Sequence, residues 1–251
     1  MGDLFLLSER QMARISAHFP LSHGGARVDD QRVVSGIIYV IRNGLQWKDA
    51  PSQYGPHKTL YNRFIRWSRL GVFDRIFAAL AGEGPQPERI MIDATHLKAH
   101  RTAASLLKKG MFPRCIGRTK GGLNSKLHAV CDDDGRPIIM LLSEGQMSDH
   151  KGARIVLNAL PKANYLIADK GYDSTWVREE LLARGIEPCI PSSKSRKKPY
   201  VYDKALYRRR HKVENLFAKL KDWRRIATRY DLCAHTFFSA ICIAASVIFW
   251  L

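Results

Sequence analysis

KLHAVCDDDGRPIIMLL, residues Lys126–Leu142, reads as two short strands around a turn. Lys126–Cys131 and Pro137–Leu142 are apolar runs of strand length, and Asp132-Asp133-Asp134-Gly135 between them is a hairpin turn signal. The acidic trio is expected to be a solvated loop rather than a metal site. Upstream, Arg89–Thr95 (RIMIDAT) alternates in the manner of a third strand. Downstream the pattern predicts a helix at Lys151–Ala159, a strand at Tyr165–Ala168, a helix at Ser174–Arg184, a short strand at Glu187–Ile190, and one long helix from Tyr202 to about Thr228.

Three strands, a helix, a strand and further helices is the order of a ribonuclease-H-like α/β domain. The region before it reads differently. Ser8 can cap a helix from Glu9 to about His18, and a Gly/Pro break follows at PLSHGG. DDQRVVSGIIYVIRNG then places Val33, Val34, Ile37, Ile38 and Ile41 at helical spacing, with Asn43-Gly44 as the stop. Lys58–Leu80 sets Tyr61, Phe64 and Ile65 among Arg63, Arg66 and Arg69, an amphipathic helix broken at Gly71 and followed by a shorter one. AGEGPQPE (Ala81–Glu88) is a linker. The expected organisation is therefore an N-terminal helical, helix-turn-helix-like DNA-binding domain over residues 1–85 and an α/β catalytic domain over 86–251. A solvated basic face on a helical bundle remains open for the first.

Charge points to the partner. The 251 residues carry 41 Lys plus Arg against 23 Asp plus Glu, a formal net of +18, while 45% hydrophobic residues allow a packed core. Residues 1–88 hold only +3 of that charge and residues 89–251 hold +15. Ala94–Cys131 contains eight basic and no acidic residues, and Lys194–Arg229 contains 14 basic against 3 acidic. Such a surface favours a polyanion, because each neutralised phosphate releases counterions. An RNA-binding protein shares that property. The five cysteines form no CxxC pair and read as reduced thiols. The N-terminus lacks the plan of a secretory signal, and the apolar run Thr236–Leu251 is short for a membrane span, so a buried helix is expected there.

The long basic helix carries the chemistry. At about 100° per residue, Tyr207, Arg210, Glu214 and Lys221 fall within roughly a 60° arc and form one polar stripe. Leu206, Val213, Phe217 and Leu220 form the neighbouring apolar stripe, expected to face the core, and Arg208, Lys212 and Lys219 a third face turned away from it. Glu214 stands there amid basic neighbours. Asp93 lies in an apolar strand and Asp169 ends another, positions costly for a carboxylate unless it is paired or bound to a metal. Three clustered carboxylates would repel one another, and hard divalent cations with oxygen ligands relieve that repulsion, Mg²⁺ above all beside phosphates. Two ions about 3.5–4 Å apart would serve an in-line displacement at phosphorus.

DATHLKAHR around Asp93, ADKGYDS around Asp169 and YRRRHKVENLFAKLKDWRRIATRYD around Glu214 resemble the DDE transposases of bacterial insertion sequences, closest to insertion-sequence family five and its sister family four. Tyr207, Arg210, Glu214 and Lys221 match the tyrosine, arginine, glutamate, lysine signature of those enzymes. The likeness extends to GLQWKDAPSQYGPHKTLYNRFIRWSR and to the tail AHTFFSAICIAASVIFWL. It implies that Asp93, Asp169 and Glu214 are catalytic and hold two Mg²⁺ ions, with Mn²⁺ able to substitute. It implies that Tyr207, Arg210 and Lys221 position DNA. Lys98 and Lys170 are expected phosphate contacts, and His96 and His100 structural or DNA contacts. Arg114, Arg118, Lys120 and Lys126, around GRTKGG, read as a mobile loop on the DNA backbone, as does KSRKK (Lys194–Lys198). Arg63 and Arg66 would contribute from the helical region. Trp176 and Trp223 could stack on a flipped base, but core packing is the stronger expectation for both.

The activity so implied is a nuclease that cuts at insertion-sequence ends and transfers the freed 3′-hydroxyl into target DNA. Its partners would be double-stranded DNA, as terminal inverted repeats and target, and a second copy of the chain, as a homodimer or larger assembly. The place would be the bacterial cytoplasm at the nucleoid, with no membrane. Two rivals predict different behaviour: a ribonuclease-H-like nuclease that cleaves without joining, and a non-catalytic DNA-binding repressor or inactive relic that binds ends without metal and never nicks them.

Overall fold

The computed structural model describes residues 4–21, 29–105 and 113–251. Most of PLSHGG and Lys108–Lys109 of the acid-free stretch lie outside them. The chain forms two compact units. One comprises Met1–Leu80, His100–Arg114 and Leu220–Leu251, the other Ala81–Ala99 and Cys115–Lys219. The last 32 residues thus belong to the helical unit.

The helical unit begins with α1 (Glu9–Ile15), where Ser8 and Gln11 cap each other reciprocally, Ser8 Oγ accepting from the Gln11 N–H at 3.2 Å and Gln11 Oε1 from the Ser8 N–H at 2.8 Å. Next comes α2 (Asp30–Asn43), capped by Asp29, with Val33, Val34, Ile37, Ile38 and Ile41 all buried. It stops at Gly44 with φ +67°, a left-handed position where a Cβ would also lie 2.7 Å from Arg224 Cβ. Then α3 (His57–Arg69) buries Leu60, Phe64 and Trp67, and α4 (Val72–Gly82) follows after Leu70-Gly71.

The α/β unit is organised around β1 (Arg89–Ala99). A small strand, β2 (Gly117–Thr119), makes a hairpin with the start of β3 (Gly122–Cys131), and β4 (Pro137–Glu144) returns beside β3. β1 and β3 run antiparallel from Met91↔Cys131 to Lys98↔Asn124. After α5 (Asp149–Val156), β5 (Tyr165–Ile167) joins β1 in parallel; after α6 (Thr175–Ala183), β6 (Glu187–Cys189) joins β5 in parallel. Across the sheet the strands run β4-β3-β1-β5-β6, and along the chain the elements follow, apart from the small β2, the order expected from the sequence. One apolar cluster under it joins Ile90 and Ile92 of β1, Ala153 and Val156 of α5, and Tyr172, Val177 and Leu181 beyond β5.

Three expectations are corrected here. β1 runs four residues past Thr95, because β3 supplies it with backbone partners to Lys98; Asp93 is consequently mid-strand, opposite Ala129. The acidic turn is not merely solvated: Asp132 accepts from the N–H groups of Asp134 and Arg136, and Asp133 from those of Glu88 and Arg89. The single long helix is instead α7 (Lys204–Tyr207), a 3₁₀ turn at Arg208–Arg210, α8 (His211–Lys221) and α9 (Arg224–Ala227). Burial of Trp223 in extended backbone and the grip of Arg225 on Asp231, at 2.9 and 3.2 Å, outweigh the modest propensity to continue the helix. The apolar stripe holds: Val213, Phe217 and Leu220 are buried and Leu206 half-buried. Lys212 departs from its predicted face and donates to the Asp133 carbonyl. The tail forms α10 (Ala234–Phe249), buried along Phe237–Ala245. Among the described residues no helix is long and apolar enough to cross a membrane.

Candidate active site

Asp93 points from the middle of β1 and is half-buried; its Oδ1 accepts from the Ala94 N–H at 2.8 Å. Burial pushes its carboxyl above the usual aspartate value of 3.8. The charges of Asp169 and Asp149 push the same way, against the Ala94 N–H and Arg210. Asp169 follows β5 and caps the short turn Lys170–Tyr172, its Oδ1 accepting from the Gly171 N–H at 2.7 Å. The strand-end cap and the charge near Asp93 are thus one residue doing both.

Glu214 is the most exposed of the three, in the first turn of α8. Arg210 ties it in. One guanidinium nitrogen lies 2.9 Å from Asp93 Oδ2 and the other donates to Glu214 Oε1. The guanidinium also lies 5.9 Å from the Tyr207 ring centre. The 3₁₀ turn therefore keeps Tyr207, Arg210 and Glu214 on one side, as the sequence stripe required, and turns Arg210 back onto β1. Lys221, at the end of α8, is exposed.

The donors are hard carboxylate oxygens, the chemistry that suits Mg²⁺ or Mn²⁺ rather than a soft metal. A divalent cation would offset the burial, and after it the like charges, that raise Asp93. Among the described residues, however, no three His, Cys, Asp or Glu side chains stand within reach of one ion in this arrangement. Arg210 is the positive charge between Asp93 and Glu214.

The remaining candidates divide into exposed and engaged groups. Lys98, Lys170, Arg118 and Lys120 are exposed, the last two on the β2–β3 hairpin. GRTKGG is that hairpin and not a loop without structure. Lys126, expected among the backbone contacts, is instead buried on β3 with its Nζ 2.7 Å from Asp149 Oδ1. Arg114 donates to the Ala104 carbonyl at 2.9 Å. His96 is held by the Gly145 carbonyl at 2.9 Å, and His100 stacks on Tyr230 at 4.8 Å. In KSRKK, Arg196 is bonded to Asp173 while Lys194, Lys197 and Lys198 are exposed. Arg63 pairs with Asp30 and lies over the Trp67 ring, so its charge is committed within the helical unit; Arg66 is exposed. Trp223 is buried, and Trp176 packs against the sheet's apolar cluster beneath Arg154.

Two acids escaped the sequence reading. Asp149 in SDHKG looks like any helix-start aspartate until α5 is laid against the Lys170–Tyr172 turn. Asp173 closes ADKGYD, where the motif was read for its first acid alone; its side chain is fully buried between Arg178 and Arg196.

Residues 84–248 match the family described as "Transposase DDE domain", and residues 7–77 the family described as "Putative transposase of IS4/5 family". The "Putative transposase for insertion sequence element IS6501" of Brucella ovis is 32% identical over 131 residues, 51% of this chain and 99% of that protein. "Uncharacterized protein y4sN" of Sinorhizobium fredii is 34% identical over 92 residues, 36% of this chain and 73% of that protein. Among solved structures, the cryo-EM structure of the piggyBac transposase synaptic complex with hairpin DNA superposes with a TM-score of 0.54 at 9% identity, over 94% of this chain and 69% of that one. That last likeness is one of fold, the ribonuclease-H-like sheet with its helical companion.

Proposed function

Given that the chain belongs to the DDE transposases of insertion sequences, we propose that it cleaves DNA at the ends of such an element and joins the freed 3′-hydroxyl to target DNA, using Asp93, Asp169 and Glu214. The single observation that carries the assignment of residues is the Arg210 guanidinium, which links Asp93 of β1 to Glu214 of α8 beside Asp169. Two acids from distant segments, Asp93 and Glu214, meeting on one cation serve no obvious structural need on the central strand of the sheet.

The three carboxylates would hold divalent cations, whose Lewis acidity polarises the phosphorus–oxygen bonds when they are bound. Glu214 reaches such an ion only on leaving Arg210. Arg210 offers a bidentate fork that a DNA phosphate would accept, which would free Glu214 and Asp93 to hold a cation. Tyr207 steadies the guanidinium from the other side. Lys98 and Lys170, one residue past Asp169 in the latter case, offer point charges to the strand being cut. Arg118 and Lys120 at the hairpin would extend the grip along the backbone from the α/β unit, and Lys221 on α8 and Arg66 on α3 would be phosphate contacts of the helical unit. Cutting and joining can share one centre, since the carboxylates are indifferent to whether water or a 3′-hydroxyl attacks. Two ends must meet one target, which calls for at least two copies of the chain. Residues 1–85 would serve as the end-recognising domain and 86–251 as the catalytic one.

The test is a strand-transfer assay on pre-cleaved end DNA with Mg²⁺, run with the Asp93→Asn, Asp169→Asn and Glu214→Gln variants. Joining by the wild-type chain, and its loss in each variant with end binding retained, is the expected result. Cleavage without joining reduces the protein to a nuclease, and binding without either makes it a repressor or relic.

A further inference from the structure

The helical unit carries a charged face that its own fold leaves unmatched. α3 (HKTLYNRFIRWSR) has four Lys or Arg and no acid. At about 100° per residue, Lys58, Asn62, Ile65 and Arg69 fall within roughly a 60° arc, with Arg66 about 40° to one side of it and Tyr61 about 40° to the other. Leu60, Phe64 and Trp67 are buried on the opposite face, and α3 packs against α2 and α10. The outward residues follow the same division: Lys58, Asn62, Arg66 and Arg69 are exposed, Tyr61 is 44% exposed and Ile65 is half-buried. Arg63 shows what a structural arginine on this helix does, pairing with Asp30 and lying over the Trp67 ring. The side chains of Lys58, Asn62, Arg66 and Arg69 make no ion pair or hydrogen bond among the described residues. A solvated helix face commonly interleaves acids and bases at this spacing, and like charges three apart, as Arg66 and Arg69 are, cost stability. The match for such a face is a polyanion outside the chain.

We propose that α3 enters the major groove of duplex DNA with this face foremost, Asn62 and Arg69 reading base edges and Lys58 and Arg66 meeting phosphates. The proposal rests on the reading of residues 1–85 as the end-recognising domain, and adds to it the element and the side chains that read. From Lys58 to Arg69 the face runs about 16 Å at about 1.5 Å per residue. The major groove, about 12 Å wide, admits one such helix. An asparagine amide fits the N6 and N7 edge of adenine, and a guanidinium the O6 and N7 edge of guanine, each with two bonds. Asn62 and Arg69 stand about 10 Å apart along the helix, about the rise of three base pairs. Ile65 between them offers an apolar contact to a thymine methyl. Arg66, at the flank of the face, meets the wall of the groove, where the phosphates run.

Selection of duplexes from a random-sequence DNA library by the full chain, in EDTA so that no strand is cut, tests this. Wild type should enrich one sequence, with an adenine and a guanine about three base pairs apart, and bind it more tightly than a scrambled duplex. Asn62→Ala and Arg69→Ala should each lower that preference by roughly 10- to 100-fold and weaken the scrambled duplex far less. Arg66→Ala should weaken both duplexes alike. Methylation of the selected guanine at N7 by dimethyl sulfate should block wild type and make no difference to Arg69→Ala. Alanine is at home on an exposed helix face, so these variants keep the fold. If wild type selects a sequence and both variants keep the preference in full, α3 is not the reading helix, while end recognition survives. If wild type selects nothing, end recognition falls and this proposal with it. Should the variants keep the preference yet sediment as a smaller species than wild type, the face is a contact between copies of the chain, and the proposal is equally overturned.

Discussion

Asp93 and Arg210, 117 positions apart in the chain, meet in an ion pair of 2.9 Å. The same guanidinium reaches Glu214, so two of the three acids expected to hold metal are held by an arginine instead. Buried carboxylates in one place need positive charge from somewhere. In this arrangement the protein supplies it from its own helix, and Lys126 repeats the device at Asp149. An arginine is a strong but displaceable partner, since a phosphate accepts the same fork.

Arg210 is thus predicted to act in two opposed ways, and substitution separates them. Arg210→Ala should raise Mn²⁺ affinity in the free protein, because Asp93 and Glu214 lose their internal cation. It should nonetheless slow single-turnover end cleavage by roughly 100-fold, the usual order for deleting one preorganised charge at a reacting phosphate. Arg210→Lys should be nearly as slow, because a point-like ammonium cannot offer a phosphate the planar two-pronged fork of a guanidinium. Cleavage at the wild-type rate in either variant would remove Arg210 from the mechanism.

The β2–β3 hairpin predicts a different signature. Arg118 and Lys120 are exposed on the hairpin, where Arg118 pairs with Leu123 through its backbone. Replacing both with Ala should weaken DNA binding by the same factor for end and unrelated sequences. The slope of log K against log salt should fall by about 2, close to one unit per phosphate lost. Thermal unfolding should not move. A sequence-selective loss, seen only on end DNA, would mean the hairpin reads bases and not backbone.

How much of this was legible beforehand follows from the range of each interaction. Gly44, Ser8 and the Asp132–Gly135 turn announce themselves because caps and turns are local, although the bonds from Asp133 to Glu88 and Arg89 are not. Asp93, Asp169 and Glu214 were legible as candidates because each sits in a motif, and the structure brings Asp93 and Glu214 onto Arg210. What was hidden depends on register. That Lys126 faces inward, and not toward DNA, is decided by its place on β3 against α5. The breaks in the basic helix come from Trp223 and from Arg225 reaching Asp231, tertiary choices that residue propensity cannot anticipate.

Gly152 offers a test of the α5 packing itself. A Cβ there would lie 2.2, 2.4 and 2.8 Å from three atoms of the His128 ring, which is fully buried and held by Ser143 Oγ at 3.0 Å. In an exposed helix, Gly→Ala gains up to about 1 kcal/mol. Here overpacking, typically about 1–3 kcal/mol, should win, and Gly152→Ala should be destabilised in urea. A stabilised variant would show that α5 does not lie on β3 as described.

Asp173 supplies the pH prediction. Burial by itself would raise its carboxyl, but the Arg196 side chain, the Ser193 N–H and Arg178 together outweigh it and hold it down at about 2, against an ordinary 3.8. Arg196 Nε, Arg178 Nε and the Ser193 N–H donate to it at 2.9, 2.9 and 2.7 Å, binding the Ser193–Arg196 segment to the turn that carries Asp169. The folded state therefore binds this proton more weakly than the unfolded state. The sign follows: the contribution, about 2 kcal/mol, is fully present above the unfolded value and is lost as pH falls from 3.8 through about 2. Asp173→Asn should be less stable than wild type at neutral pH, and the gap should narrow across that acid window. Because the same carboxylate fixes the segment behind Asp169, the variant should also show faster proteolysis between Ser192 and Lys198. Denaturation curves of the two proteins that run parallel down to the acid limit would mean that Asp173 is not held by its two arginines.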